Sequence, residues 1–189
     1  MKVLIGCERS GVVRQEFRKR GHDAYSNDLV PADDGSDFHI IGDAVEVSLS
    51  WKWDLAIFHP PCTSLTVAGA RWFNQRLQEQ KEAIAFAEFL WSSPIQSIAL
   101  ENPIGVLSTR SSLGKPSQII HPWQFGHGET KATCLWLKNL PKLIPTDVVS
   151  GRVPRVHYES PGIVNGMTRA QRRSITYRGV AKAMAEQWG

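Results

Sequence analysis

The sequence has few cysteines and no long apolar run, and both features exclude certain classes of protein. Cys7, Cys62 and Cys134 are the only cysteines among 189 residues. Such an odd and widely spaced set gives neither a disulfide framework nor the ligand spacing of a zinc site. No apolar stretch reaches the roughly 20 residues of a transmembrane helix, and the N-terminus lacks the apolar region of a signal peptide. We therefore expect a cytoplasmic protein with no metal site and no membrane association.

Acidic residues are scarce in the C-terminal part of the chain. Residues 138–182 hold 9 Lys and Arg against 2 Asp and Glu, whereas residues 1–60 hold 7 against 10. A basic segment suits a polyanion such as nucleic acid, although a solvated basic face without a partner has the same composition. The sequence has no internal repeat, and its length fits one domain.

Apolar runs that alternate with amphipathic stretches predict an α/β fold. We expect one Rossmann-like domain with a mixed, mostly parallel sheet and helices on both faces. The predicted strands are residues 2–6, 24–26, 39–43, 53–59, 97–100, 118–120 and 130–137. The predicted helices are residues 12–20, 75–91 and 179–188.

The first strand leads into a glycine turn, Gly6-Cys7-Glu8-Arg9-Ser10-Gly11, with Ser10 as the expected N-cap of the next helix. Its glycines let the backbone approach a ligand closely, and no Gly-Lys-Ser/Thr follows to make a phosphate loop. Asp28, about 20 positions further on, is placed to bind ribose hydroxyls. As a loop residue, Asp28 could equally cap a turn. Asp43 stands where it could contact an adenine. Carboxylates without phosphate-binding lysines suit S-adenosylmethionine, which has a ribose and an adenine but no phosphate.

A rigid loop carries Cys62. The apolar run at residues 53–57 ends in Phe58-His59-Pro60-Pro61-Cys62-Thr63, and its two prolines fix the backbone and stop the sheet. Cys62 therefore lies at the carboxyl end of a strand, where open α/β sheets bind ligands. The run at residues 97–100 ends in Glu101-Asn102-Pro103. If the two strands are neighbours, Cys62 and Glu101 meet over one pocket.

A thiol and a carboxyl group facing a planar heterocycle predict methylation of a pyrimidine carbon. Carbon 5 of cytosine is too poor a nucleophile to take a methyl group directly. A Cys62 thiolate that adds to carbon 6, with Glu101 assisting at nitrogen 3, would activate it. A free thiol has a pKa of about 8.5, so the site must assist its deprotonation.

These residues resemble the DNA cytosine carbon-5 methyltransferases, and in particular short phage and prophage members. Pro61-Cys62 matches the nucleophile motif, Glu101-Asn102 matches the catalytic Glu-Asn motif, and residues 176–185 resemble the final cofactor-side motif. The resemblance implies S-adenosyl-L-methionine as cofactor and DNA as substrate, in a bacterial or phage-infected cell. The implied catalytic residues are Cys62, Glu101 and Asn102. The implied cofactor-binding residues are Gly6, Cys7, Glu8, Gly11, Asp28, Asp43 and Pro60.

The sequence also departs from the family pattern. Thr63 replaces a glutamine and Pro103 a valine, and only residues 141–173 are available for the family's large target-recognition region. We therefore expect no large target-recognition domain, and either weak sequence specificity or a protein partner that supplies it. The Gln-x-Arg-x-Arg strand of the family has no clear match, and residues 130–133 are its candidate. The candidate substrate-binding residues are Arg71, Lys131, Thr133, Arg172 and Arg173.

The sequence predicts a single domain over residues 1–189 and leaves three functions open. We divide the domain into a cofactor-binding part at residues 1–60, a catalytic part at 61–137 and a basic substrate-facing segment with a C-terminal helix at 138–189. DNA cytosine methylation is the first function. The second is methylation of a pyrimidine mononucleotide, RNA or an exocyclic amine. The third is a catalytically silent relative that binds DNA.

Overall fold

A computed structural model of the chain describes residues 1–66, 75–154 and 159–189. One seven-stranded sheet has the order β3-β2-β1-β4-β5-β7-β6. The strands are β1 (Lys2–Gly6), β2 (Asp23–Asp28), β3 (His39–Ile41), β4 (Leu55–Phe58), β5 (Ser97–Pro103), β6 (Gln118–Ile120) and β7 (Thr133–Lys138). The helices are α1 (Val12–Lys19), α2 (Ala44–Ser50), α3 (Leu77–Trp91), α4 (Leu107–Arg110), α5 (Arg169–Ser174) and α6 (Arg178–Trp188).

The sheet is mostly parallel, which confirms the predicted fold class. Strands β1 to β5 run parallel to one another, and β7 lies antiparallel between β5 and β6. The strand order reverses between β1 and β4. Open α/β sheets bind ligands at such a reversal, outside the carboxyl ends of the strands. The topology therefore places the turn after β1 and the loop after β4 beside the same crevice.

Helices cover both faces of the sheet, as predicted. Alternate residues of a strand point to opposite faces. Val3 and Ile5 lie in a core that α1 and α6 cover, whereas Leu4 lies in a second core under α2 and α3. The C-terminal helix α6 thus packs beside α1 on one face of the sheet. In the described part of the chain, α3 is the longest helix with 15 residues, and no helix has the length and apolar character that crossing a membrane requires.

Strand β5 is longer than its sequence indicates. Glu, Asn and Pro are poor strand formers, so the prediction ended the strand at Leu100. In the structure β5 continues to Pro103 because β7 pairs with it, with Glu101 opposite Leu135 and Asn102 opposite Cys134. Its pairing with β4 ends earlier, at Leu100. Glu101 and Asn102 therefore keep the rigidity of a strand while one edge faces the loop that carries Cys62.

Gly179 brings α6 into close contact with the segment between β6 and β7. A Cβ atom there would lie 1.8 Å from the Phe125 carbonyl oxygen. Because that neighbour is backbone, we expect Gly179→Ala to destabilise the fold by about 3 kcal/mol. Urea unfolding measures this. Gly162→Ala is the control, since nothing lies within 4 Å of its Cβ position. Equal unfolding midpoints for the two variants would contradict the packing of α6 described above.

Candidate active site at the carboxyl ends of the strands

The turn after β1 is built around the carboxyl group of Glu8. Cys7 has the left-handed backbone conformation, with φ 59°, and Glu8 is buried. One Glu8 oxygen accepts a hydrogen bond from the Val13 amide at 2.7 Å, and the other accepts from the Arg14 amide at 3.3 Å. The prediction of Ser10 as N-cap was wrong: Gly11 holds that position, and Glu8 caps the helix from outside.

This cap determines what the turn can bind. A helix N-terminus is the usual position of a phosphate in dinucleotide-binding folds, and here a buried carboxyl group occupies it. Burial raises the pKa of Glu8, while the charge of His59 and the two amide hydrogen bonds act in the opposite direction. The turn is therefore unsuited to a pyrophosphate.

The structure brings Cys7, Asp28 and Asp43 together at the carboxyl ends of β1, β2 and β3. Burial and the charges of Asp28 and Asp43 raise the pKa of the Cys7 thiol to about 12. Asp43 also caps α2, since its Oδ1 accepts a hydrogen bond from the Val45 amide at 2.7 Å. This capping role of Asp43 was not predicted from the sequence. The resulting edge has two carboxylates and suits a cationic nucleoside.

Glycine at position 6 is required by packing. A Cβ atom at Gly6 would lie 2.5 Å from the ring of Phe58, at the end of β4. Gly11 has φ 70°, and a Cβ atom there would meet the Arg14 guanidinium. Both glycines therefore shape the turn, and their predicted contact with a cofactor stays a prediction.

Two contacts fasten the Cys62 loop to the segment that carries Glu101. Asn102 is buried, and its Nδ2 donates a hydrogen bond to the Pro60 carbonyl oxygen at 2.9 Å. Beyond Cys62, the Val106 amide donates to the Leu65 carbonyl at 2.8 Å. The contacts lie before and after Cys62 in the chain, so the thiol is held from both sides.

Glu101 lies between His59 and Lys131. His59 Nδ1 is 3.3 Å from Glu101 Oε2. Burial alone would raise the pKa of the Glu101 carboxyl. The hydrogen bond and charge of His59, with the charge of Lys131, outweigh burial and hold this pKa below its ordinary value. The carboxyl group is therefore ionised in the free protein at neutral pH.

Cys62 shares this electrostatic environment. Burial, and then the negative charge of Glu101, raise the pKa of its thiol, while Lys131 and Arg173 act to lower it. Lys131 Nζ donates a hydrogen bond to the Arg173 carbonyl at 2.8 Å, which holds the ammonium group near the site. The two cations thus partly offset the rise in the pKa of the thiol that burial causes.

Two adjoining cavities lead from Glu101 toward the basic segment. A cavity of about 30 Å³ is lined by Glu101, Thr133 and Met184, and it has room for about one water molecule. A larger one, of about 320 Å³, is lined by Glu129, Arg173 and Arg178 among others. Both are bordered by Lys131, Thr176 and Tyr177. These three side chains separate the larger cavity from the carboxyl group.

Arg172 and Arg173, two more of the predicted substrate-binding residues, make different contacts. The Arg172 guanidinium binds Glu159 at 3.0 Å and the carbonyl groups of Ser160, Gly162 and Met167, so it organises residues 159–167. Arg173 lines the larger cavity. Arg71 lies outside the described residues.

Two residues that the sequence did not assign to the site also contribute. His59 binds Glu101, as described above, and Tyr177 donates a hydrogen bond from its hydroxyl to Glu129 Oε2 at 2.6 Å. The position of His59 could have indicated its role. It is a titratable residue directly before Pro60, and if β4 and β5 are neighbours it lies close to Glu101. No comparable signal existed for Tyr177, which reaches the site through the packing of α6.

The fold is similar to that of solved methyltransferase structures. A DNA modification methyltransferase encoded within an E. coli prophage has 13% sequence identity and a TM-score of 0.50, and the match covers 87% of this chain and 56% of that one. Methyltransferase EhMeth of Entamoeba histolytica has 11% identity and a TM-score of 0.52, with 79% of this chain and 57% of that one covered. The chain thus has a Rossmann-like methyltransferase fold, and it spans little more than half the length of these structures.

No family model and no curated protein matches the sequence.

Proposed function

We propose that the protein methylates carbon 5 of cytosine in DNA, with S-adenosylmethionine as methyl donor. The observation that carries the proposal is the pairing of Cys62 and Glu101. Neighbouring parallel strands lead to the two residues, and the Asn102–Pro60 hydrogen bond fixes the Cys62 loop to the strand that carries Glu101. The charge of Glu101 acts on the Cys62 thiol. A nucleophile and an acid–base group held in this way suit covalent catalysis on a pyrimidine.

The residues at the ends of β1 and β2 fit this cofactor. Asp28 would hold the ribose hydroxyls, Asp43 would contact the adenine side, and the Glu8 cap leaves no place for a phosphate. Two carboxylates also favour a positively charged sulfonium. When bound, S-adenosylmethionine supplies an electrophilic methyl group next to the cytosine.

In the proposed reaction Cys62 acts first. Its thiol loses a proton to solvent, and the sulfur forms a bond to carbon 6 of cytosine while Glu101, which is ionised in the free protein, relays a proton to nitrogen 3. Carbon 5 then carries the electron density that takes up the methyl group, with release of S-adenosylhomocysteine. Loss of the carbon-5 proton to solvent base, return of the nitrogen-3 proton through Glu101 and cleavage of the sulfur–carbon bond give 5-methylcytosine and a Cys62 thiolate, which takes back its proton from solvent.

The environment of Cys62 makes this reaction depend on substrate binding. With its pKa raised, the thiol stays protonated in the free protein, which protects it from side reactions. Protonated nitrogen 3 would be a positive charge beside Glu101, and it would offset the negative charge that contributes to the raised pKa of the Cys62 thiol. Cytosine entry and thiolate formation would therefore assist one another.

DNA is the favoured substrate because basic residues lie beside the cavities. Lys131, Arg172, Arg173 and Arg178 line the larger cavity together with Glu129 and Glu159. Residues 138–182, which include the three arginines, hold 9 Lys and Arg against 2 Asp and Glu. Phosphate contacts of this kind bind nucleic acid without reading its sequence. A flipped or single-stranded cytosine would have to displace Lys131, Thr176 or Tyr177 to reach Glu101. A protein partner would then supply target recognition.

Product analysis tests the proposal. The protein is incubated with S-adenosylmethionine and double-stranded DNA, single-stranded DNA or cytosine mononucleotides, and the digested nucleosides are identified by mass spectrometry. We expect 5-methylcytosine in DNA, with single strands favoured because no base pair must be broken. Product in the mononucleotide pool alone would replace DNA as the substrate. Cofactor binding without product in any pool would contradict the proposal for the protein acting alone.

A further inference from the structure

His59 lies between the cofactor turn and the catalytic carboxyl group. Its backbone amide donates a hydrogen bond to the Gly6 carbonyl at 3.0 Å, and Pro60 follows it directly, so its backbone is fixed on both sides. The side chain is about nine-tenths buried. Nδ1 contacts Glu101 at 3.3 Å, while the buried Nε2 has no hydrogen-bond partner among the described residues.

Two carboxyl groups face this imidazole from different elements. Glu101 approaches from β5. Glu8 approaches from the turn after β1, close enough for the charge of His59 to act on its pKa. The charge of Lys131 also lowers the pKa of Glu101, and it acts in the same direction on the Cys62 thiol. Because the hydrogen bond of the His59 side chain goes to Glu101, its effect on the reaction would pass through that carboxyl group.

We propose that His59 is a positioning residue that orients Glu101 and supplies the proton that Glu101 passes to cytosine nitrogen 3. The inference rests on the proposed function. An ionised Glu101 has no proton of its own to give. Histidine is the side chain whose ordinary pKa lies closest to neutral pH, so it can hold a proton and release it.

The protons balance over one cycle. Protonated His59 donates its Nδ1 hydrogen to the Glu101 carboxylate as Glu101 protonates nitrogen 3. His59 is then neutral and Glu101 is again a carboxylate. When the sulfur–carbon bond breaks, the nitrogen-3 proton returns to Glu101 and His59 Nδ1 is protonated again. His59 is thus regenerated, and the only net proton released comes from carbon 5.

Two substitutions separate orientation from proton supply. His59→Asn places an amide near the position of Nδ1, so it retains a donor to Glu101 but cannot release a proton. His59→Ala removes both functions. We expect His59→Asn to lower the single-turnover rate by about 10²-fold, with an unchanged KM for DNA and a pH profile that loses the limb belonging to His59. His59→Ala should lose more and also raise KM. His22→Asn, at the far end of α1 against Phe17, is the control.

A titration that does not depend on activity completes the test. NMR with labelled glutamate follows the titration of Glu101 in the wild type and in His59→Asn. We expect the pKa of Glu101 to rise in His59→Asn, because the hydrogen bond and charge that lower it are lost. An unchanged Glu101 titration, or an unchanged rate and pH profile for His59→Asn in an active methyltransferase, would overturn the inference alone. A raised Glu101 pKa in His59→Asn, with a wild type that methylates nothing, would instead overturn the proposed function, and proton delivery to cytosine with it.

Discussion

Replacing Cys62 with alanine is expected to abolish methylation, lowering turnover by at least about 10⁴-fold. Without the thiolate, carbon 5 of cytosine is not activated, and neither Glu101 nor His59 can substitute for the carbon–sulfur bond. Radiolabel transfer from S-adenosylmethionine to DNA measures the loss. Cofactor binding should be unaffected, since Asp28 and Asp43 lie at other strand ends. Equal turnover in wild type and Cys62→Ala would exclude covalent catalysis.

Cys134→Ala is the matched control for this substitution. Cys134 is buried in the sheet opposite Asn102, and burial followed by the charge of Glu101 raises the pKa of its thiol to about 11. It is therefore also a protonated thiol near Glu101, but it lies inside a strand. We expect this variant to lose some stability and to keep its activity.

The same nucleophile can be detected directly. DNA with 5-fluorocytosine should remain attached to the wild-type protein, because the fluorine at carbon 5 cannot leave as a proton does. A higher pH favours the Cys62 thiolate, whose pKa is raised, but it depletes the proton that must reach nitrogen 3, so the rate of attachment should pass through a maximum with pH. A denaturing gel reports the adduct, and Cys62→Ala should give none at any pH.

Gly105→Ala is expected to disable the reaction without removing any reacting group. A Cβ atom at Gly105 would lie 2.0 Å from the Leu65 carbonyl oxygen and 3.0 Å from Thr66 Cα. Both neighbours are backbone atoms of the segment that follows Cys62, and the Thr66–Gly105 bridge joins the two loops. The loops must therefore separate by about 1 Å, a displacement that can cost about 10²-fold in rate.

Stability and rate must be measured together for Gly105→Ala. We expect a loss of about 2 kcal/mol in unfolding free energy, and a fall in the rate of 5-fluorocytosine attachment at temperatures where the variant is fully folded. Gly162→Ala, which has open space around its Cβ position, should change neither quantity. If folded Gly105→Ala protein became attached to 5-fluorocytosine DNA at the wild-type rate, the contact between the loops would not position Cys62.

The sequence by itself determined the parallel half of the sheet. The apolar runs that form β1 and β4 are short and continuous, and they are bounded by Gly6 and Pro60. Such local signals predict a buried strand without knowledge of the tertiary structure. The catalytic candidates followed from the same signals, because a residue after a buried strand must lie at its carboxyl end. The predicted N-cap of α1 was wrong because the sequence shows only which side chains are able to cap a helix. Glu8 reaches the amide groups of α1 because the left-handed conformation of Cys7 turns the backbone toward the helix.

Tertiary structure alone decided how the candidate groups interact. Glu101 became part of a strand because β7 pairs with it across more than 30 positions of sequence, and long-range pairing overrides local strand propensity. The contact between His59 and Glu101 likewise depends on the adjacency of β4 and β5. Whether each carboxyl group carries a charge depends on burial and on neighbours such as Lys131, which come from distant parts of the chain. The sequence thus determines which nucleophilic and titratable side chains are present, whereas the fold sets the pKa values that govern their reactions.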